Sequence, residues 1–160
     1  LRNPLLNGIE PLLKGYQAGV GNGNLEFATT CMAASAAIGF HCALPLKAYA
    51  TDLRHICEQL KLLKQDVILT LVVPYWQGAL NLVGEAPDEQ RLDYGKVLDE
   101  KKYLNSTVLP ETEKGLPWHN YFMVSYIVAY IFNDVERAHE KRKQMRQRNN
   151  GGPKCLHFIV

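Results

Sequence analysis

The clearest periodicity in the chain lies between Pro45 and Lys64. Leu46, Tyr49, Leu53, Ile56, Leu60 and Leu63 recur at alternating spacings of three and four, which puts them on one stripe of an α-helix. Lys47, Asp52, Arg54, Glu58, Lys61 and Lys64 fall mostly off that stripe, so the helix buries one side and shows the other to water. Pro45 suits the first turn, where a missing N–H costs nothing.

The remaining segments are read from their breaks. A first helix spans about Ile9 to Val20, with Pro11 in its first turn. Gly21-Asn22-Gly23-Asn24 ends it, because these residue types accept positive φ. A second helix runs from Leu25 to about Ala43, and its alanines and glycine let another helix come close. The stretch Val67 to Val73 is rich in β-branched residues and in isolation reads as a buried strand. No second strand candidate is available to pair with it, and a lone strand leaves its backbone donors unsatisfied. A fourth helix from Asp66 to about Val83, kinked at Pro74, is expected instead.

Gly84 to Lys102 has no regular period; Ala86-Pro87-Asp88 reads as a turn, and Leu92 and Leu98 as anchors of one short helix. Tyr103 to Gly115 reads as loop. An aromatic helix follows from Leu116 to Phe132, carrying Trp118, Tyr121, Phe122, Tyr126 and Tyr130, and these rings are expected to be core. The last helix, Val135 to Arg148, is polar almost all round and is expected to be solvated. Asn149-Asn150-Gly151-Gly152-Pro153 stops it, and residues 149–160 read as a disordered tail.

Composition changes this picture little. With 160 residues, 47% hydrophobic and 21% charged, the chain has enough apolar surface for a sizeable core. Residues 27–46, 67–84 and 115–133 are uncharged runs approaching membrane-spanning length. Each is interrupted by polar residues or proline, and the mean hydropathy of the chain is −0.17, so burial between neighbouring helices is expected rather than a bilayer. The net charge of +2 selects no class of partner. Arg137, Lys141, Arg142, Lys143, Arg146 and Arg148 form one basic run, broken by Glu136 and Glu140 and unsupported by any nucleic-acid motif, so no nucleic-acid partner is expected. Cys31, Cys42, Cys57 and Cys155 show no CxxC spacing and read as reduced structural residues of a cytoplasmic protein. Asn105-Ser106-Thr107 is a sequon, a weak pattern by itself. No signal-peptide pattern opens the chain, and Leu1 in place of a methionine is expected of a piece of something longer.

Two hexapeptides share one form. Gly23-Asn24-Leu25-Glu26-Phe27-Ala28 and Asn133-Asp134-Val135-Glu136-Arg137-Ala138 each follow a helix and open the next. Asn or Asp caps the new helix, Glu suits the positive end of its dipole, and Ala leaves room for a partner helix. Tetratricopeptide repeats carry the same signature at the turn into their second helix. Tyr16 and Tyr126 stand at the same distance before each alanine. The Trp-Leu-Gly cluster of those repeats is missing, and the middle third has no clean copy.

The wording "PLLKGYQAGVGNGNLEFA" (Pro11–Ala28), "LKLLKQD" (Leu60–Asp66), "YWQGALNLVGEA" (Tyr75–Ala86) and "YIVAYIFNDVERA" (Tyr126–Ala138) resembles the helical region of very large signalling proteins of cyanobacteria and some algae. In that family a serine/threonine kinase domain precedes an AAA/STAND-type predicted ATPase. A tetratricopeptide-like region follows, often with GAF and histidine-kinase domains after it. The resemblance covers roughly Pro4 to His139 and thins between Asp88 and Pro117. It implies an ATP-binding parent whose phosphate loop and kinase elements lie outside this chain, so no catalytic residue is carried over.

The residues that might carry chemistry have bland readings. His41, His55, His119, His139 and His157 show no metal-ligand spacing. Asp88-Glu89, Asp99-Glu100 and Glu111/Glu113 lie in polar segments and read as solvated charge. Ser35, Ser106 and Ser125 lack the hydrolase nucleophile elbow. No catalytic, cofactor-binding or metal-binding residue is assigned, and no cofactor beyond the ATP of a parent protein. The expectation is an all-α fragment: antiparallel helical hairpins stacked as a tetratricopeptide-like solenoid over residues 1–148, binding other domains of the same polypeptide or a protein partner. The alternatives are a free-standing adaptor of the same build, and a small helical enzyme or ligand-binding protein with a pocket near Trp76 and Trp118.

Overall fold

A computed structural model describes residues 5–42, 44–93, 95–105 and 115–149. Among them the chain is all-α. After a 3-10 turn at Leu6–Gly8 come α1 (Ile9–Gly21), α2 (Leu25–His41), α3 (Leu46–Leu62), α4 (Asp66–Leu82), α5 (Glu100–Leu104), α6 (Gly115–Ile131) and α7 (Val135–Asn149). The β-branched stretch Val67–Val73 lies within α4, as the missing pairing partner required.

Short connections fold α1 onto α2, α3 onto α4 and α6 onto α7, and α4 also packs against α2 and α6. The core follows from that placement. Leu53, Leu60, Val72, Tyr75, Ala79, Tyr121, Phe122, Val124 and Val128 join in one cluster. The α3 stripe supplies it: Tyr49, Leu53 and Leu60 are buried, Ile56 is half-buried, and Lys47, Asp52, Arg54, Glu58 and Lys61 are exposed. Gly78 lets α4 approach two neighbours at once, because a Cβ there would run into Val124 of α6 and stand 3.3 Å from the Phe40 ring of α2.

Four helix ends close in the same way. The N–H of Asn24, Gln65, Glu85 and Asp134 donates to the carbonyl of Gly19, Leu60, Leu80 and Ala129, at 2.8, 2.9, 2.9 and 2.9 Å. The residue before each donor is left-handed: Gly23, Lys64, Gly84 and Asn133, with φ of 73°, 55°, 78° and 60°. Three of these turns lead straight into a helix. Asn24 Oδ1 accepts from Phe27 N, and Asp134 Oδ1 from Arg137 N, both at 3.1 Å. Gln65, at the equivalent place before α4, makes no side-chain cap.

The small residues of the repeated signature sit at the hairpin closures. A Cβ on Gly19 would lie 2.9 Å from Ala28 Cβ and 3.0 Å from Ala28 backbone atoms, so α1 and α2 touch almost backbone to backbone. Ala129 and Ala138, both buried, hold the corresponding places beside the α6–α7 turn. At the α3–α4 turn those places fall to Leu60 and Leu69. The turn is conserved in geometry along the molecule while the residues that announce it are not.

Three expectations need correction. Tyr103 and Leu104 belong to α5 rather than to a loop, because Asp99 Oδ1 caps that helix by accepting from Lys102 N at 3.0 Å. Leu92 and Leu98 are buried anchors, yet they stand in irregular chain outside any helix. The last helix is not solvated all round: Ala138 and Lys141 are buried and Met145 packs on the core. The reason is their spacing, which forms a stripe in which the alkyl stem of Lys141 counts as apolar surface. Helix α7 runs through Asn149; the rest of the tail, with Ser106–Lys114 of the expected loop, lies outside the described residues.

Ala28 has no exposed surface. Ala28→Glu should lower the melting temperature by roughly ten degrees or more, from several kcal/mol for an unpaired buried charge at about 2–4 °C per kcal/mol. Phe27→Glu, at a half-exposed neighbouring position, should shift it by only about two degrees or less. Thermal unfolding followed by circular dichroism compares the two, and equal shifts would remove the close hairpin contact from the explanation.

Candidate functional site

Most of the buried polar side chains, Gln77, Asn81, Asn120, Ser125 and Lys141, gather where α4, α5, α6 and α7 meet. Their arrangement begins with Pro74. A proline has no N–H, so the carbonyl four residues earlier, on Thr70, has no helical donor. Tyr103 Oη of α5 lies 2.7 Å from Thr70 O and 3.0 Å from Pro117 O, and its hydroxyl donates to one of them at a time. One residue further on, Leu71 O accepts from Asn120 Nδ2 of α6 at 3.2 Å. The Thr70 and Leu71 carbonyls, within the uninterrupted helix α4, are thereby acceptors that fix both α5 and α6.

One turn along, α4 buries two amides completely. Gln77 Nε2 donates to Asn81 Oδ1 at 2.9 Å, and Gln77 Oε1 accepts from Val97 N at 2.9 Å. Asn81 Nδ2 lies 2.9, 3.0 and 2.8 Å from the carbonyl oxygens of Asp88, Glu89 and Arg91. These bonds hold the irregular stretch after α4 against the helix. Gly95 completes the fit, since any Cβ there would collide with the Gln77 amide.

The third part faces α7. Lys141 Nζ lies 2.9 Å from Glu100 Oε1 and stands over the Tyr121 and Phe122 rings, 5.4 and 5.8 Å from their centroids. Arg137 Nη1 donates to Gln90 O at 3.3 Å, and Arg91 pairs with Asp93 at 2.6 Å. The Arg91 guanidinium holds the Asp93 carboxyl below the usual carboxylate range. Beside them Tyr121 Oη and Ser125 Oγ are buried with no hydrogen-bond partner among the described residues. Burial, then the charge of Glu100, pushes the Tyr121 hydroxyl well up; burial does the same for Tyr103. Both phenols stay protonated, and that of Tyr103 serves as a donor. The chemistry of this seam is that of a clasp joining four helices.

The residues singled out in the sequence are scattered around it. Glu100, read as solvated, is the partner of a buried lysine, and Asp99 caps α5. Asp88 Oδ1 accepts from Gln90 N at 3.0 Å. Glu111, Glu113, Ser106, His157 and Cys155 lie outside the described residues. His41, His55 and His139 are exposed, His119 is half-buried, and no group of three metal-ligating side chains occurs among the described residues. Cys31, Cys42 and Cys57 are free thiols. Ser35 is buried and donates to Met32 O at 2.8 Å. Trp76 and Trp118 are half-buried and pack on the central cluster. Tyr121 and Phe122 are core as expected, whereas Tyr130 is 70% exposed.

Residues missed in the sequence are Gln77, Asn81, Tyr103 and Asn120. One signal for them was present: Gln77 and Asn81 are one helical turn apart in an otherwise apolar helix, where an amide pair needs partners. No described helix is long and apolar enough to cross a membrane. Comparison with known proteins leaves the reading to the chain itself: no family model matches it, and no curated protein or solved structure does either.

Asn81→Leu keeps the volume and removes every bond the amide makes. Buried carbonyls and the Gln77 donor left unpaired cost about 1–3 kcal/mol each. Residues 88–97 should then be the first region to gain amide exchange and to be cut by protease, while α1 and α2 are unaffected. Uniform loss of protection would contradict the clasp.

Burial pushes the Cys57 thiol from its ordinary 9.0 up to about 12, and the buried Tyr49 and Tyr75 hydroxyls shift upward too. A group with a raised folded pKa contributes stability that is full below its unfolded value and is lost as pH climbs toward the folded value. Urea unfolding should show stability falling from about pH 9 upward, with a limiting slope of about 1.4 kcal/mol per pH unit for each group. Cys57→Ala should be less stable at pH 7 yet decline less steeply between pH 9 and 10.

Proposed function

We propose that this chain is a non-catalytic scaffold or sensor segment, built of stacked tetratricopeptide-like hairpins, within a multidomain ATP-binding signalling protein of the cytoplasm. The observation that carries the reading is the repeated hairpin closure. The same left-handed turn recurs at Gly23, Lys64 and Asn133, each joining two helices that pack on one another. Such units bury their apolar faces on the next unit and not within themselves. Helix α1 fits that description, since Gly19 is its only buried residue while Leu13 and Val20 stay about half exposed. The resemblance of the Pro11–Ala28, Tyr75–Ala86 and Tyr126–Ala138 wording supplies the signalling context.

In this reading the hairpins bind a neighbouring domain or a protein partner and shift it between two packings, so that ligand binding is read out as a change in the attached ATPase. The ATP and the phosphate loop belong to that domain. A free-standing adaptor of the same build is the second reading, supported by the continuous core of α2, α3, α4 and α6.

The open reading frame separates the two. A phosphate loop and kinase elements encoded in frame with Leu1–Val160 are expected, and ATP hydrolysis by that protein should rise when this segment is deleted. A frame holding neither domain would leave the adaptor reading; an unchanged hydrolysis rate would remove the regulatory role.

A further inference from the structure

The two ends of the molecule carry apolar stripes of matching form. Glycines take the inner side of α1 and of the turn before it: a Cβ on Gly8, Gly15 or Gly19 would meet Ile38, Cys31 or Ala28 of α2 at 3.3, 2.9 and 2.9 Å. The large side chains are thereby turned off that side. Leu6, Ile9, Leu13, Tyr16 and Val20 recur at spacings of three and four and form one stripe, exposed or half-buried along its length. None of them joins the core cluster. At the other end, α6 meets α4 through Asn120 and Val124, and α5 and α7 through Tyr121 and Phe122. Its remaining side carries Leu116, Met123, Ile127 and Tyr130, the first and last exposed and the other two half-buried. Tyr126 stacks on Tyr130 there, with ring centroids 6.2 Å apart.

The stripes run the same length. Leu6 to Val20 and Leu116 to Tyr130 each cover about 21 Å at 1.5 Å per residue. They cannot meet within one molecule, because α2 and α4 stand between α1 and α6, and each helix spacing is about 8–10 Å. Their surroundings differ in charge. Residues 5–42 bear Glu10 and Glu26 against Lys14, whereas residues 115–149 bear six lysines and arginines against three acids. Arg142 and Arg146 of α7, beside α6, are exposed and make no ion pair among the described residues. Packing α6 on α6 would bring two positive hairpins together, while α1 on α6 brings unlike charges together. We propose that α1 of one copy of this chain docks along α6 of a second copy, head to tail.

This deepens the stacked-hairpin reading and rests on it, though not on the ATP-binding parent. Because the two faces differ, the contact does not close with two copies, and every dimer still offers one α1 and one α6. A single helix-on-helix contact falls below the standard interface of about 1,600 Å², so the association is weak and concentration-dependent.

Sedimentation velocity of the full chain over a rising concentration series is the test. The average mass should climb past that of a dimer. Leu13→Glu and Tyr130→Glu, both at exposed positions, should each weaken self-association roughly tenfold or more. An equimolar mixture of the two should restore a dimer and nothing larger, since each variant keeps the face that the other lacks. Leu62→Glu, 82% exposed at the end of α3, should change nothing. A native chain that stays monomeric throughout, or a mixture no more associated than its parts, would overturn the proposal. Self-association that survives undiminished in either variant would overturn it in favour of a contact between like faces. The reading frame and the ATP hydrolysis rate decide the function proposed above independently of these outcomes.

Discussion

The carbonyl that Pro74 leaves without a donor organises the second half of the molecule. A proline inside a helix ordinarily costs about 3 kcal/mol, because a hydrogen bond is lost and the ring crowds the preceding turn. Here Thr70 O receives the Tyr103 hydroxyl instead, and Leu71 O the Asn120 amide. The cost is offset by bonds that exist only when α5 and α6 are in place. Secondary structure in α4 and tertiary docking of its neighbours are in this sense one interaction, and Gln77 and Asn81 extend it by a turn.

Small residues do the corresponding work in the first hairpin. Between α1 and α2 the contact is Gly19 on Ala28, with almost nothing polar to specify it. Around α4 the contacts are amides and hydroxyls with directional demands. The molecule joins two ways of fixing helix geometry: close approach at one end, and hydrogen bonding in the buried seam at the other.

How much of this could be read from residues alone depends on the kind of signal. The α3 stripe was legible because apolar and charged residues alternate with the helical period. The turns at Gly23 and Asn133 were legible because glycine and asparagine tolerate positive φ and Asn24 and Asp134 are capping residues. The turn at Lys64 was hidden: lysine gives no hint of φ 55°, and the geometry is imposed by helices packing on either side. Lys141 was misread for a related reason, since its charge is visible in the sequence and its partner Glu100 is distant along the chain. The clasp itself is written in long-range pairs such as Tyr103 with Thr70, which no local pattern can announce.

The first hairpin meets the rest mainly through α2, and none of the bonds around Pro74, Gln77 or Asn81 reaches it. Opening α1 therefore uncovers little that is buried elsewhere. Local opening of α1 would expose chiefly the α2 face that it covers, Ala28 included, and leave the seam around α4 closed.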